Sequence, residues 1–314
     1  MQIHYDTGNL PSFKNAAITI GTFDGVHTAH QQIINTLKEE TATINGESVI
    51  ITFHPHPRKI VSSAILGVRL INTLEEKIQL FKQNEIDHLV IIPFTDAFAN
   101  QPADDYIQHF LIQHFHPKSV IIGYDHRFGR DRQGDFRLLE NAATIYNFRV
   151  KEIEKHILNQ IAISSTKIRE SISHCQIEAA NLLLGYSFFF GGEVVHGEKL
   201  GRKLGYPTAN LKIHNEEKII PGDGIYAVYV SKNDSEIENK ESLMKGMMSI
   251  GFRPTINGKS RVIEVNIFDF DEEIYGQTLR VYVKKYLRPE AKFNSLDELV
   301  AQIGIDKMES LKVL

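Results

Sequence analysis

A chain of 314 residues, 42% hydrophobic and 24% charged, carries enough apolar material for two compact globular domains. Its net charge of −4 weighs against a general nucleic-acid binder, and no apolar run nears the ~20 residues of a membrane span. The lone cysteine, Cys175, excludes an intramolecular disulfide and a cysteine-rich zinc site. Cys175 reads as a buried packing residue, and residues 1–14 lack an apolar signal core, so the expected location is cytoplasmic with no membrane partner.

The first organised stretch is 18–30, ITIGTFDGVHTAH. Ile18 and Ile20 lead into Gly21, residues 22–25 form a turn, and Ile33, Ile34 and Leu37 follow at helical spacing. A strand, a glycine-bearing loop and a helix in that order present backbone N–H groups and a positive dipole end to an anion. His27 and His30 sit at the mouth of that loop, and each can donate a hydrogen bond to phosphate oxygen. Residues 49–53 read as a buried parallel strand halted by the prolines of His54-Pro55-His56-Pro57. Asn72 or Thr73 would cap a helix through Leu74, Ile78 and Phe81, and 89–92 is a further strand. Residues 103–114 place Ile107, Phe110 and Leu111 on one helical face, which leaves His109, His114 and His116 as surface residues. Another strand at 120–122 runs into a glycine-punctuated loop with Arg127, Arg130 and Arg132, a basic setting for an anionic ligand. In 163–169, ISSTKIR, Ser164 or Ser165 caps a helix and gathers hydroxyls, Lys167 and Arg169 around free N–H groups. Every one of these motifs follows a strand, the arrangement of an α/β parallel sheet with ligand at the strand ends.

A bridging helix over 176–184 ends at Gly185, and the texture then changes. Residues 188–195, 224–230, 261–268 and 278–287 are β-rich and separated by polar turns, and Ser295 with Glu298 forms a capping box for a terminal helix. The expected second fold is an antiparallel β-barrel closed by that helix, with domains at 1–184 and 185–314. Its chemistry gathers in 191–210, GGEVVHGEKLGRKLGYPTAN, where glycines permit close ligand approach and Thr208 and Asn210 offer oxygens to a hard cation such as Mg²⁺.

The residues Gly21, Phe23, Asp24, Gly25, His27 and His30 resemble the G-x-F-D-G-x-H-x-G-H signature of the adenylyltransferase half of bifunctional riboflavin kinase/FAD synthetases. Ala29 stands where that family has glycine. Phe53, Pro55 and Pro57 are similar to its F-x-P-x-P loop. Asp125 and Phe128 fit its G-x-D-F-x-F-G loop, with His126 in an aromatic position, and Ser164, Ser165, Thr166 and Arg169 fit I-S-S-T-x-I-R. Gly201, Arg202, Gly205, Pro207, Thr208 and Asn210, with Gly197 upstream, resemble the riboflavin kinase signature G-R-x-L-G-(F/Y)-P-T-A-N. The segment 221–227, then Gly251, Pro254 and Thr255, continue the likeness.

The resemblance implies a Rossmann-like nucleotidylyltransferase domain followed by a riboflavin kinase barrel. It further implies riboflavin, FMN and ATP as substrates; the net charge of −4 sets the expectation of no nucleic-acid partner. By the same resemblance His27 and His30 bind ATP phosphates, and 164–169 grips the triphosphate opposite them. Thr208 and Asn210 hold Mg²⁺ and ATP, Glu264 accepts the proton of the riboflavin 5′-hydroxyl, and Arg288 and Glu290 belong to a loop over the flavin. Two other readings stay open. Ala29 and His126 define a riboflavin kinase with impaired adenylyl transfer, and a non-catalytic flavin-binding regulator or RNA-binding module on a nucleotide-binding fold is the second.

Overall fold

The computed structural model describes residues 1–61, 69–153, 163–197, 200–232, 237, 242–255 and 258–314. Two compact units emerge, one of Met1–Val68 with Leu74–Ile163, the other of Arg69–Thr73 with Ser164–Leu314.

The first unit is built on six parallel strands, β1 (Gln2–His4), β2 (Ala17–Ile20), β3 (Ser48–His54), β4 (His88–Pro93), β5 (Ser119–Gly123) and β6 (Arg149–Ile153), in the order β1-β4-β3-β2-β5-β6. The central strands AITI, SVIIT and SVII are buried almost without alternation, because helices cover both faces of a parallel sheet. Edge strand β6 alternates exposed and partly buried residues, and neither it nor β1 stands out as an apolar run in the sequence. The chain leaves β2 for β3 on one side and reaches β5 on the other, so the crevice at the β2 and β5 carboxyl ends is the topological switch point. Helix Thr28–Thr43 follows β2, and helix Leu74–Gln83 precedes β4. The expected helix at 103–114 is present, but its middle, Tyr106–Ile112, is π-helical, with Ile107, Phe110 and Leu111 buried. Its rings join a core with Phe115 and Phe128.

In the second unit, β7 (Phe189–Val195), β8 (Ala209–Lys212), β9 (Gly224–Ser231), β10 (Met244–Thr255), β11 (Gly258–Ile267) and β12 (Thr278–Arg288) close an antiparallel barrel in the order β10-β11-β8-β7-β12-β9. β8 and β10 escape a propensity reading. The first is short and polar, and MKGMMSIGFRPT mixes glycine, methionine and proline, none a strong strand former. Helix Leu296–Val313 packs on β9, β10 and β12, and Ser295 Oγ accepts from Glu298 N at 3.2 Å as the capping box requires. Helix Ile177–Leu184 ends at Gly185 in the left-handed region, φ 79°. Cys175 departs from the expectation of burial. It is half-buried, with Sγ 3.6 Å from the Asp223 carbonyl.

Candidate functional site

In the first unit the loop 21–27 leaves β2 at the switch point. Gly25 adopts φ 94°, open to glycine without cost, while Phe23 is held at φ 48°. That unusual backbone is fixed by packing: the Phe23 ring is buried, edge-on to His30 at 5.1 Å and to Phe81 at 5.5 Å. A Cβ on Gly21 would lie 3.1 Å from the same ring. Asp24 is buried within the turn. His27 is the N-cap residue of helix Thr28–Thr43, and His30 lies in its first turn, so the two imidazoles stack with centroids 3.6 Å apart and planes at 14°. Burial, His27 and Lys77 all push the His30 pKa well down, which keeps the ring neutral. Ala29 sits buried between them in a right-handed helical turn, where alanine is the better helix former.

Around this loop, Phe53 packs edge-on against Phe94 at 5.4 Å, and the chain turns through a cis His54–Pro55 bond before Pro57 opens a short helix, Pro57–Val61. After β5, Asp125 is exposed, whereas Phe128 stacks on Tyr106 at 4.8 Å inside the core, so Phe128 anchors the loop from below. Arg127 pairs with Asp135 at 3.0 Å, and Asp135 also caps helix Phe136–Tyr146. Of the three loop arginines, this one is thus spent on structure. His126 is pushed down to about 4 by burial and by Arg132, so it remains a neutral aromatic ring at physiological pH.

The 164–169 motif belongs to the second unit. Ser164 Oγ accepts from Lys167 N at 3.2 Å as the N-cap of helix Ser165–Ser173, Ser165 and Thr166 occupy its first turn, and Arg169 Nε donates to the Arg69 carbonyl at 2.7 Å.

The barrel assembles its own site. Glu264 on β11 is in register with Asn210 on β8 and Ser249 on β10. Ile263 and Val265 beside it are buried, as strand alternation demands. Thr208 Oγ1 donates to Glu264 Oε1 at 3.4 Å, and Asn266 Nδ2 holds the Pro207 carbonyl at 2.6 Å. A Cβ on Gly197 would lie 2.3 Å from the Asn210 side-chain amide, and one on Gly201 2.4 Å from the Tyr206 carbonyl, so Gly201 is forced by close backbone approach. Gly205 adopts φ 83°, and Arg202 is exposed on the short helix Leu200–Lys203. Glu198 and Lys199 of the glycine-rich stretch lie outside the described residues.

Arg253 on β10 is the group that sequence reading missed. Its guanidinium donates to Glu264 Oε2 at 3.2 Å and to Glu290 Oε1 at 2.6 Å, bridging two carboxylates 26 residues apart in the chain. Glu290 rests directly on Gly251, where any Cβ would collide with its carboxylate. Arg288, by contrast, is turned to structure: Nε and Nη2 clasp the Asp306 carboxylate at 2.8 and 2.6 Å, and Nη1 donates to the Pro289 carbonyl at 2.9 Å. It fixes the root of the loop that carries Glu290.

A parallel sheet with a phosphate-suited loop at its switch point in one unit, and a barrel with a carboxylate among hydroxyl and amide oxygens in the other, are features suited to a two-centre transferase of nucleotide substrates. The FAD synthetase family model matches residues 10–167, and the riboflavin kinase model matches 184–314. A bifunctional riboflavin kinase/FMN adenylyltransferase of Haemophilus influenzae is 37% identical over 93% of this chain and 92% of its own. The enzyme of the same description from Escherichia coli is 34% identical over 94% and 91%. A solved Streptococcus pneumoniae structure, described as a macrolide-efflux protein, superposes with a TM-score of 0.85 at 28% identity, covering 98% of both chains. No helix among the described residues is long and apolar enough to cross a membrane. The chain belongs to the bifunctional riboflavin kinase/FMN adenylyltransferase family, and it is an enzyme.

Proposed function

We infer that this chain phosphorylates riboflavin to FMN with one ATP and adenylylates FMN to FAD with a second, releasing pyrophosphate. The observation that carries the reading is the presence of both sets of residues, each assembled in its own unit: the stacked His27–His30 pair above a strained loop, and Glu264 in register with Asn210. The adenylyltransferase is assigned to 1–184 and the kinase to 185–314, although Arg69–Thr73 and 164–184 fall within the same compact unit as the barrel.

In the kinase step the riboflavin 5′-oxygen attacks the γ-phosphorus of ATP, its proton passes to Glu264, and ADP leaves. Thr208 and Asn210 supply neutral oxygens beside a carboxylate, a donor set that fits Mg²⁺ sharing substrate phosphates, and Gly197 leaves room for the amide. The bound ion would neutralise phosphate charge there. Gly197, Gly201, Gly205, Arg202 and Pro207 would shape the ATP side of the barrel site. Arg253 holds Glu264 and Glu290 in place for the flavin.

In the second step an FMN phosphate oxygen attacks the α-phosphorus of ATP and pyrophosphate departs. His27 and His30, stacked on one another with His30 held neutral by burial, would donate to the phosphates, with the loop N–H groups of 21–25 around them. By their motif Ser164, Ser165, Thr166 and Arg169 are proposed as phosphate-binding residues of the second unit, and Phe53, Pro55, Pro57, Asp125 and the His126 ring as the flavin side of the first. Neither step needs a nucleophilic side chain, so catalysis rests on positioning and charge stabilisation. A cytoplasmic location goes with this reading.

Labelled ATP tests it. Label at the γ-phosphorus should enter FMN when riboflavin is supplied, and label at the α-phosphorus should enter FAD when FMN is supplied. Label from the α-phosphorus absent from FAD would leave only the kinase.

A further inference from the structure

Lys77, on helix Leu74–Gln83, is only 8% exposed although it carries an ammonium. Nζ donates to the Thr22 carbonyl at 3.0 Å and to Thr52 Oγ1 at 3.2 Å, and Thr52 Oγ1 itself donates to the Thr22 carbonyl at 3.2 Å. The triangle ties three elements together: the loop after β2, the end of β3, and the helix. Four residues on, and therefore on the same helical face, Phe81 packs against Phe23. One helix thus holds two consecutive residues of the phosphate loop, by charge at Thr22 and by ring contact at Phe23.

Among the described residues two acceptors take ammonium protons, and both are neutral. No carboxylate among the described residues lies within ion-pair distance of Nζ; Asp24 acts on it only across a longer gap. Burying an ammonium in this way is strongly unfavourable unless an anion arrives to meet its field. The charged and titratable groups facing it are Asp24 of the loop, His30 of the helix after it and His54 at the end of β3. On its own helix Glu76 is also buried.

We propose that Lys77 is a positioning residue for adenylyl transfer: it clamps the Thr22 carbonyl so that the loop amides and the histidine pair stay set for polyphosphate, and it supplies a fixed positive charge below them. This rests on the adenylyltransferase reading of the first unit. Burial lowers the Lys77 pKa to about 8, so its proton is lost in a range where enzymes are readily assayed. The sign for folding is opposite to that for activity. Between about 8 and 10.5 the unfolded chain keeps a proton that the folded chain has lost, so this group's contribution to stability rises with pH. A fall in FAD synthesis across that window is therefore not unfolding caused by Lys77.

The test follows FAD formation from FMN and ATP in the full chain across that window, for the parent, Lys77→Arg and Lys77→Met, with FMN formation from riboflavin as a folding reference. The parent should lose FAD synthesis above about pH 8. Lys77→Met should lose roughly 10²-fold in kcat/KM for ATP at neutral pH, the weight of one preorganised electrostatic group. Lys77→Arg should recover part of that loss, with the alkaline fall moved upward. A parent that makes no FAD would remove the adenylyltransferase reading. A parent that makes FAD while Lys77→Met keeps its rate would remove Lys77 alone. Should Lys77→Met fail to fold, pyrophosphate affinity of the parent decides: weakening above that pH supports the clamp, and an unchanged affinity overturns it.

Discussion

Glu264 meets Thr208 through one carboxylate oxygen and Arg253 through the other, so its position is fixed before any flavin arrives. Glu264→Gln keeps the shape and removes the proposed proton acceptor. FMN formation should drop by roughly 10²–10⁴-fold, while FAD formation from supplied FMN is unchanged. A near-normal kinase rate would remove Glu264 from the mechanism. Arg253→Met leaves Glu264 and Glu290 facing one another without the cation between them. Arg253 is half-exposed, which discounts the pair to about 1 kcal/mol, so the KM for riboflavin should rise several-fold by steady-state kinetics. Two departures from the family pattern lose their force once the backbone is seen. Ala29 lies in a helical turn, so Ala29→Gly should cost about 1 kcal/mol in urea unfolding while lowering the KM for ATP with kcat little changed. His126 is a neutral ring above about pH 4, and His126→Phe should therefore preserve FAD synthesis near neutrality. A large loss would mean that the imidazole nitrogens themselves take part.

At the scale of elements, the loop bearing Glu290 hangs from the end of β12 and is tied to helix Leu296–Val313 by the Arg288–Asp306 clasp. Asp306 is nearly buried, and Asp306→Ala strands the guanidinium; unfolding of this unit should move by about 2–4 kcal/mol, together with a rise in the KM for riboflavin. Unchanged kinetics would show that the loop needs no such root. Arg288 shows where reading from the sequence stops. LRPEAKF names the loop but not the partner, and Asp306 lies 18 residues further along the chain. Arg253 and Lys77 went unread for a similar reason. Arg253 finds Glu264 only after β10 and β11 pair, and Glu290 only once the loop after β12 is in place, and Lys77 looks like any lysine in an amphipathic helix until the Thr22 carbonyl is brought to it. The π-helical turns at Tyr106–Ile112 were hidden too, since the same apolar residues can be buried by either helix. By contrast, 49–53, 89–92 and 120–122 were legible because short runs dominated by β-branched residues have few other uses. The loop motifs were legible because glycine and histidine at fixed spacing carry their own chemistry.

Across the whole molecule, the compact units do not follow the bounds of the two family matches, 10–167 and 184–314. The segment Arg69–Thr73 belongs to the barrel unit: Leu70 pairs with Lys218, and Lys218 Nζ donates to the Ile71 carbonyl at 2.6 Å. Helices Ser165–Ser173 and Ile177–Leu184 join the same unit. A fragment of 185–314 loses all of these supports, so its thermal midpoint should fall below that of the same unit in the full chain, as followed by calorimetry. An equal midpoint would make those segments dispensable. The central claim, two successive ATP-dependent steps on one chain, is tested most directly by turnover of the full chain with riboflavin, ATP and Mg²⁺, with FMN and FAD separated by chromatography over time. FMN should appear first and FAD follow after a lag, with one pyrophosphate released for each FAD formed. FMN that accumulates with no FAD, or no flavin product at all, would contradict it.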